Sequence, residues 1–590
     1  MPPIKHAQGK PKEFKKTLKN LFHNIKKYSW ALILGLICAC VGTILSIIGP
    51  DKIKKIGEII KTSESLGINI NLQDVTNIAI VLLIIYLCSF LFTIIQSLIL
   101  SKVTAKISQN FRSQLSNKIN KLPLKYLDRV PTGDILSRIT NDVDLVSDTL
   151  NSSLSSIITC LTILVASIIM MFTYSWKLSL IAICVMPISI VVIGLMVKSS
   201  QKYFKIQQDS LGAINGHIEE IYSGHNVIKI YNGEDDALVK FDKFNNELYL
   251  SSFKGNILSG LMHPIMHFFG NIGYAFIIII GSIMSISNIT FIPVVMAFVT
   301  YYRMFNNQIS QVANISSTLQ TTLASSERIF EFLDKENESD EKDKKLKLEN
   351  VIGNVEFQNV NFAYNVDKQI LYDLNVKIKS GSKVAIVGST GAGKTTLVNL
   401  LLRFYEVSSG KILIDGVDIS QIKRENVRKL FGMVLQDTWL FEGTIKDNIS
   451  YGKSNISNEQ IIDVCKQVGL HHLIMSQPKG YDMVLTEESN FSAGEKQLIT
   501  IARAMLHNAP ILILDEATSS VDTRTEVIIQ NAMDKLLKNR TSFIIAHRLS
   551  TIVNADLILV MKDGRIVESG NHNELLELGG VYSNLYKSQF

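Results

Sequence analysis

Cysteine is scarce in this chain, six in 590 residues, and no pair has the spacing of zinc ligands. Cys38, Cys40, Cys88, Cys160 and Cys184 fall inside apolar stretches and Cys465 in the C-terminal half, so neither a zinc module nor a disulfide framework is expected. No small-residue cleavage site follows the first apolar run, Trp30 to Ile48. That run spans about 28 Å as a helix and reads as an anchor, not a signal peptide. No internal repeat duplicates either half, and no apolar stretch after residue 312 is long enough to span a membrane. What is abundant is apolar surface. Hydrophobic residues make up 47% and mean hydropathy is positive, which argues for a chain partly dissolved in lipid and against a soluble enzyme.

The net charge of +7 does not point to nucleic acid. Much of the excess sits at Lys5, Lys10, Lys12, Lys15, Lys16, Lys19, Lys26 and Lys27, just before an apolar run, where the positive-inside rule and anionic headgroups account for it. Six apolar segments lie near residues 30–49, 77–100, 153–174, 178–198, 257–284 and 290–312. An even count places both termini on one face, and the Lys-rich start makes that face cytoplasmic. The outer loops are then about Pro50 to Thr76, Ser175 to Lys177 and Ser285 to Ile289. The inner stretches, Ser101 to Ser152 and Ser199 to Asn256, keep helical periodicity without continuous apolarity, so helices should project beyond the membrane. Asp334 to Asn350 is charged and poor in apolar residues, as a linker would be; after it the pattern alternates between strand and helix.

The chemistry lies in this second half. Lys383 to Val387 reads as a buried strand, Gly388 to Thr396 (GSTGAGKTT) as a phosphate loop, and Lys394 as the start of a helix whose dipole favours an anion. In such a loop the backbone N–H groups of Gly388, Ser389, Thr390, Gly391, Ala392 and Gly393 wrap phosphates. Lys394 neutralises charge, Thr395 and Thr396 open the helix, and the Thr395 hydroxyl holds Mg²⁺ with Asp515 at the end of the acidic strand ILILDE. Glu516, next to Asp515, is placed to act as general base on the attacking water.

Between loop and strand lies NFSAGEKQ, Asn490 to Gln497. With it the chain resembles the ABC transporter superfamily, whose signature loop caps nucleotide held by a second nucleotide-binding domain. The implied fold class is an α-helical six-span membrane domain joined to an α/β P-loop nucleotide-binding domain, and the chain must work as a pair. The expected division is 1–29 basic segment, 30–325 membrane domain, 326–350 linker and 351–590 nucleotide-binding domain. By the same resemblance Tyr364 stacks on adenine, although packing on its own sheet is the other reading. Gln436 touches Mg²⁺ and water, His547 bonds the γ-phosphate, Asp522 links the two sites, and Ser492 and Gly494 face the partner's nucleotide. Leu122 to Asp144 and Leu211 to Tyr231 look like the intracellular coupling loops of type I (type IV fold) exporters.

The signature departs from the usual LSGGQ at Phe491, Ala493 and Glu495. A methyl and a negative charge near phosphate should weaken the site this loop completes. Beside intact Glu516 and His547, that looks like the catalytically competent subunit of heterodimeric bacterial multidrug exporters; a homodimer stays open. The expected cofactors are ATP and Mg²⁺, and the expected partners are a second half-transporter, the bilayer and a small hydrophobic or amphipathic substrate, with no nucleic acid. His263, His267 and Asn271, with Arg303, Asn307, Gln311 and Asn314, form polar stripes that either line a pathway for amphipathic or cationic molecules or lock helices together. Phe268, Phe269, Phe298, Tyr301 and Tyr302 are aromatic candidates for substrate stacking. A multidrug-type exporter in a bacterial cytoplasmic membrane leads. A lipid or peptide exporter, and an ATP-gated channel or sensor on the same scaffold, are the alternatives.

Overall fold

The computed structural model describes residues 13–589 except 68, 288–290, 342, 345, 347, 366–367, 436–437, 454–455, 487–490, 516–521 and 546–551. It divides into two compact units, Met1–Leu122 with Leu127–Asn337, and Pro123–Tyr126 with Glu338–Phe590.

The first unit is helical. Its main elements are α1 (Phe14–Ile25), α2 (Ser29–Leu66), α3 (Leu72–Ile119), α4 (Thr132–Ser137), a π turn at Arg138–Asp142, α5 (Val143–Tyr174), α6 (Trp176–Ser223), α7 (His225–Ile230), α8 (Glu234–Gly260), α9 (Met262–Ser287) and α10 (Ile292–Leu333). Each expected apolar segment falls in one of the long helices, the fifth crossing the break between α8 and α9. Those helices outrun their apolar parts: α3 has 48 residues, about 72 Å against a hydrocarbon core of about 30 Å. The inner stretches are therefore helical, as their periodicity implies.

Among the described residues, four helical stretches satisfy length and apolarity for a span: Phe14–Ser63, Leu72–Ile119, Thr132–Tyr174 and Glu234–Ile286. The fourth expected segment lies in α6, part of whose side chains fall outside the described residues. The sixth lies in α10, where Arg303, Asn306, Asn307 and Gln308 dilute the apolar run. One loop expectation fails. Residues 51–66 continue α2 through Pro50 because the sequence after the proline, DKIKKIGEIIKTSESL, holds good helix formers. At the tight turn, Ser175 caps α6 by accepting from the Leu178 N–H at 3.4 Å.

The core of this unit includes Met171, Leu178, Ile277, Phe298, Tyr301 and Tyr302, all nearly inaccessible. Tyr301 Oη donates to Ile47 O at 2.9 Å and Tyr302 Oη to Gly270 O at 3.2 Å. Phe298, Tyr301 and Tyr302, expected as candidates for substrate stacking, are thus committed to packing. The exposed Phe268 is not. Nearer the inner end, Arg328 of α10 pairs with Asp134 of α4 at 2.5 Å and with Asp142 at 3.2 Å. Ser325 Oγ donates to Asp142 at 2.9 Å, and Arg138 bonds both Asp134 and the Arg328 carbonyl. Burial pushes the Asp142 carboxyl up, against the pull of Ser325, Arg328 and Arg138.

The second unit is α/β. A four-stranded antiparallel sheet has the order β2 (Lys368–Ile378), β1 (Val355–Asn365), β4 (Ser409–Ile414), β5 (Val417–Asp418). A six-stranded sheet has the order β12 (Arg565–Gly570), β11 (Leu557–Lys562), β3 (Lys383–Gly388), β10 (Thr541–Ile545), β9 (Ile511–Asp515), β6 (Phe431–Val434), and only β12 runs antiparallel. β7 (Gly443–Thr444) and β8 (Val484–Leu485) form a small pair. The central strands read as continuous apolar runs because both faces are covered, one by the four-stranded sheet and the phosphate-loop helix and the other by helices, and β10 is buried throughout.

The segment read as linker uses its charge. Glu341 accepts from Arg403 at 2.7 Å, from Lys344 at 3.0 Å and from the Arg424 N–H at 2.6 Å. Those hydrogen bonds and ion pairs, against the cost of burial, hold its carboxyl below the usual range.

Candidate functional site

The parallel register decides what stands together. Ile545 of β10 pairs with Ile386 of β3 on one side and Asp515 of β9 on the other, and Val434 of β6 pairs with Leu514. The C-terminal ends of four strands therefore share one edge, where open α/β sheets bind ligands. From β3 the chain turns through Ser389–Ala392 into α11 (Lys394–Leu401).

That turn demands glycine. Gly393 has φ +100° and a Cβ there would lie 2.7 Å from Leu371; Gly388 has φ +157° and a Cβ would run into the Met561 carbonyl oxygen. Ala392 N–H donates to Ser389 O at 3.1 Å and closes the loop. Ser389, Thr390, Gly391 and Thr395 are exposed, whereas Ala392, Gly393 and Thr396 are buried. Lys394 Nζ folds over the turn, donating to Gly388 O at 2.6 Å and Ser389 O at 3.1 Å. Burial pushes its ammonium down, opposed by the Asp515 carboxylate. An exposed backbone turn, a helix start and a fixed cation together form an anion cradle. Gly393→Val should remove nucleotide binding, by about a hundredfold or more in Kd, because a β-branched residue at φ +100° strains the backbone; fluorescent-nucleotide titration measures it.

The metal candidates are oxygen donors. Thr395 stands on the first turn of α11 and Asp515 at the end of β9, a hard-donor set that suits Mg²⁺ held partly by phosphate oxygens. Among the described residues no group of three His, Cys, Asp or Glu forms a protein cage for a metal. Gln436, Glu516 and His547 lie outside the described residues, as does Asn490 of the signature; β6, β9 and β10 lead to the first three.

Tyr364 is half-buried and meets Phe362 and Tyr405 edge-to-face at 4.8 and 4.9 Å. Its Oη bonds the Thr396 hydroxyl at 3.2 Å, tying strand β1 to the phosphate-loop helix. Sheet packing thus accounts for part of the ring. Asp522 is the N-cap of helix Thr523–Leu537, accepting from the Thr525 N–H at 3.0 Å, and that bond lowers its pKa.

Ser492 caps the helix Ala493–His507 in a reciprocal box: its Oγ accepts from the Glu495 N–H at 3.3 Å and Glu495 Oε2 accepts from the Ser492 N–H at 2.7 Å. Sequence comparison with LSGGQ made Glu495 an intruder. The fold gives it a capping role that the S-x-x-E spacing at Ser492 could have signalled. Ser492 and Ala493 are exposed and Gly494 is buried. Ser492→Ala should cost about 1 kcal/mol through loss of the cap, read as a lower melting temperature.

Residues 371–519 match the family model described as ABC transporter, and residues 32–309 match that of the ABC transporter transmembrane region. The chain belongs to the ABC transporter family. A fatty acid ABC transporter ATP-binding/permease protein of Mycobacterium bovis is 43% identical over 86% of this chain and 80% of its own length. An ATP-dependent lipid A-core flippase of Syntrophus aciditrophicus is 33% identical over 98% of this chain and 94% of its own. A Bacillus subtilis protein named as a candidate multidrug export ATP-binding/permease protein is 38% identical over 82% and 84%. This ABC transporter is a half-transporter of the type IV exporter fold, a multi-pass membrane protein that binds ATP, couples its hydrolysis to transport and works as a dimer.

Proposed function

We propose that this ABC transporter exports hydrophobic or amphipathic compounds from a bacterial cytoplasm or inner leaflet by alternating access, with both termini cytoplasmic. The reading rests on the Lys394-capped cradle at the sheet edge, joined in one chain to an ABC transporter transmembrane region. Relatives named for fatty acid, for lipid A-core and for multidrug export support it.

In this mechanism the Gly388–Thr396 turn and Lys394 hold the phosphates, and Tyr364 offers a face to the base. Bound Mg²⁺, held by Thr395, Asp515 and Gln436, would neutralise charge on the phosphate oxygens. Glu516 takes the proton of the attacking water, His547 orients it, and Asp522 relates the two sites. Ser492 and Gly494 reach the partner's nucleotide, so closure of the pair is favoured only when ATP is shared. Ala493 and Glu495 weaken that contact, which favours a heterodimer in which the partner supplies the stronger signature.

Glu495→Gln keeps a capping acceptor while removing a charge, so apparent ATP affinity of the site this loop completes should rise about fivefold with little change in melting temperature. Unchanged affinity would show that the charge is not what weakens the site. The decisive experiment is purification with subunit counting, then ATP-dependent uptake of amphiphiles into inside-out liposomes. Electrogenic flux without an ATP-dependent gradient would indicate a channel instead.

A further inference from the structure

Within the membrane unit α9 and α10 run antiparallel along a close seam. Tyr302 Oη donates to Gly270 O, and a Cβ on Gly281 would come within 2.8 Å of Val295. Beside the seam the helices part into a groove of about 560 Å³, a volume in the range of small-ligand sites. Tyr274, Ile278 and Ser282 of α9 face Val295, Met296 and Val299 of α10 across it. The spacing of four on α9 keeps its three residues on one stripe. The walls are mostly apolar, with Ser282 and Ser285 as polar lining.

Arg303 follows Val299 by four residues and so continues the same stripe of α10. Its guanidinium carbon stands 4.6 Å from the centre of the Tyr274 ring, at one end of the groove. The side chain is exposed, and among the described residues no carboxylate pairs with it. Arg303 lies about 16 Å along the helix from Ile292, roughly half the thickness of a hydrocarbon core. An arginine at that depth is costly and faces a partner or a pathway. Tyr274 covers one face of the guanidinium, which leaves its N–H edges for a planar anion.

We infer that this groove binds an anionic amphiphile, a long-chain carboxylate whose tail lies between Ile278 and Met296 and whose head bonds Arg303. The inference rests on the export reading and sharpens it. The polar stripe of α10, read from sequence as suited to amphipathic or cationic cargo, selects against cations, because its one charge is positive and sits where the apolar walls end.

The assembled transporter in lipid nanodiscs, with competition binding of palmitate, hexadecanol and hexadecyltrimethylammonium, tests this. Palmitate should compete at concentrations about tenfold lower than either analogue. Arg303→Gln should erase that preference, Arg303→Lys should retain part of it, and Met296→Trp, which narrows the groove, should weaken palmitate severalfold without changing the order. A cation that binds as well as palmitate, or a preference that survives Arg303→Gln, overturns the assignment; if that variant fails to assemble, the Lys and Trp variants carry the test. Liposome transport separates the two levels. ATP-driven movement of all three compounds without preference sinks only the groove, whereas ATP-driven movement of no amphiphile of any charge sinks the export reading itself.

Discussion

Glu516→Gln should lower steady-state ATP turnover by about a hundred- to ten-thousandfold while nucleotide stays bound, because the amide keeps the shape of the carboxylate and cannot accept a proton. The sequence LILDEAT puts Glu516 directly after Asp515, and Asp515 ends a strand in register with the strand that feeds the phosphate loop through β10. Asp515 and the strand feeding Lys394 end at the same sheet edge, which is the support for proposing Glu516 as the base. Trapped-nucleotide assays and phosphate release on the same sample measure both halves of the prediction. Persistent turnover in the variant would remove Glu516 from the role of base and leave the cradle intact.

The second large effect concerns the buried ions of the membrane unit. Arg328→Ala leaves Asp142, only 5% exposed, without its cation and frees one side of Asp134. Breaking a buried pair by removing one partner costs about 3–5 kcal/mol, so the variant should melt well below the parent, with the α4 segment and α10 left joined by the Arg138 bond to the residue 328 carbonyl. Burial already raises the Asp142 carboxyl. A group raised on folding favours the folded state below its unfolded pKa and loses that contribution as pH rises through the folded value. Without Arg328 the folded value climbs further, so the deficit should be largest at neutral and alkaline pH and shrink toward acid. Asp142→Asn in the Arg328→Ala background should recover part of the loss at neutral pH. A deficit independent of pH would mean that packing, not charge, dominates.

Much of this molecule is legible from local pattern. The phosphate loop is a contiguous segment whose glycines are required by its own backbone, as Gly393 at φ +100° illustrates, and a contiguous motif can be read without knowing its neighbours. The long inner helices follow from periodicity, and the buried parallel strands from apolar runs. The misreadings have a common origin. Residues 51–66 belong to the stretch left between two apolar segments and expected as an outer loop, yet helix propensity carries α2 onward. Phe298, Tyr301 and Tyr302 looked available because an aromatic in an apolar span has no marker for which way it faces. Glu338 and Glu341 sat in a charge run that reads as solvated, and only the fold brings Arg428 and Arg403 to them.

By itself the sequence carried the phosphate-loop motif, the pattern of apolar segments and membership in the ABC transporter family, because each is encoded in neighbouring residues and in periods of two or about four. Tertiary structure decided the rest: that four strand ends meet at one edge, that Glu495 caps its own helix, that Arg328 is shared by two aspartates, and that Arg303 stands over the Tyr274 ring. Apart from the Ser492–Glu495 cap, which is local and carries its own S-x-x-E spacing, those are pairings between residues distant in the chain, fixed by packing and register, and no local pattern specifies them.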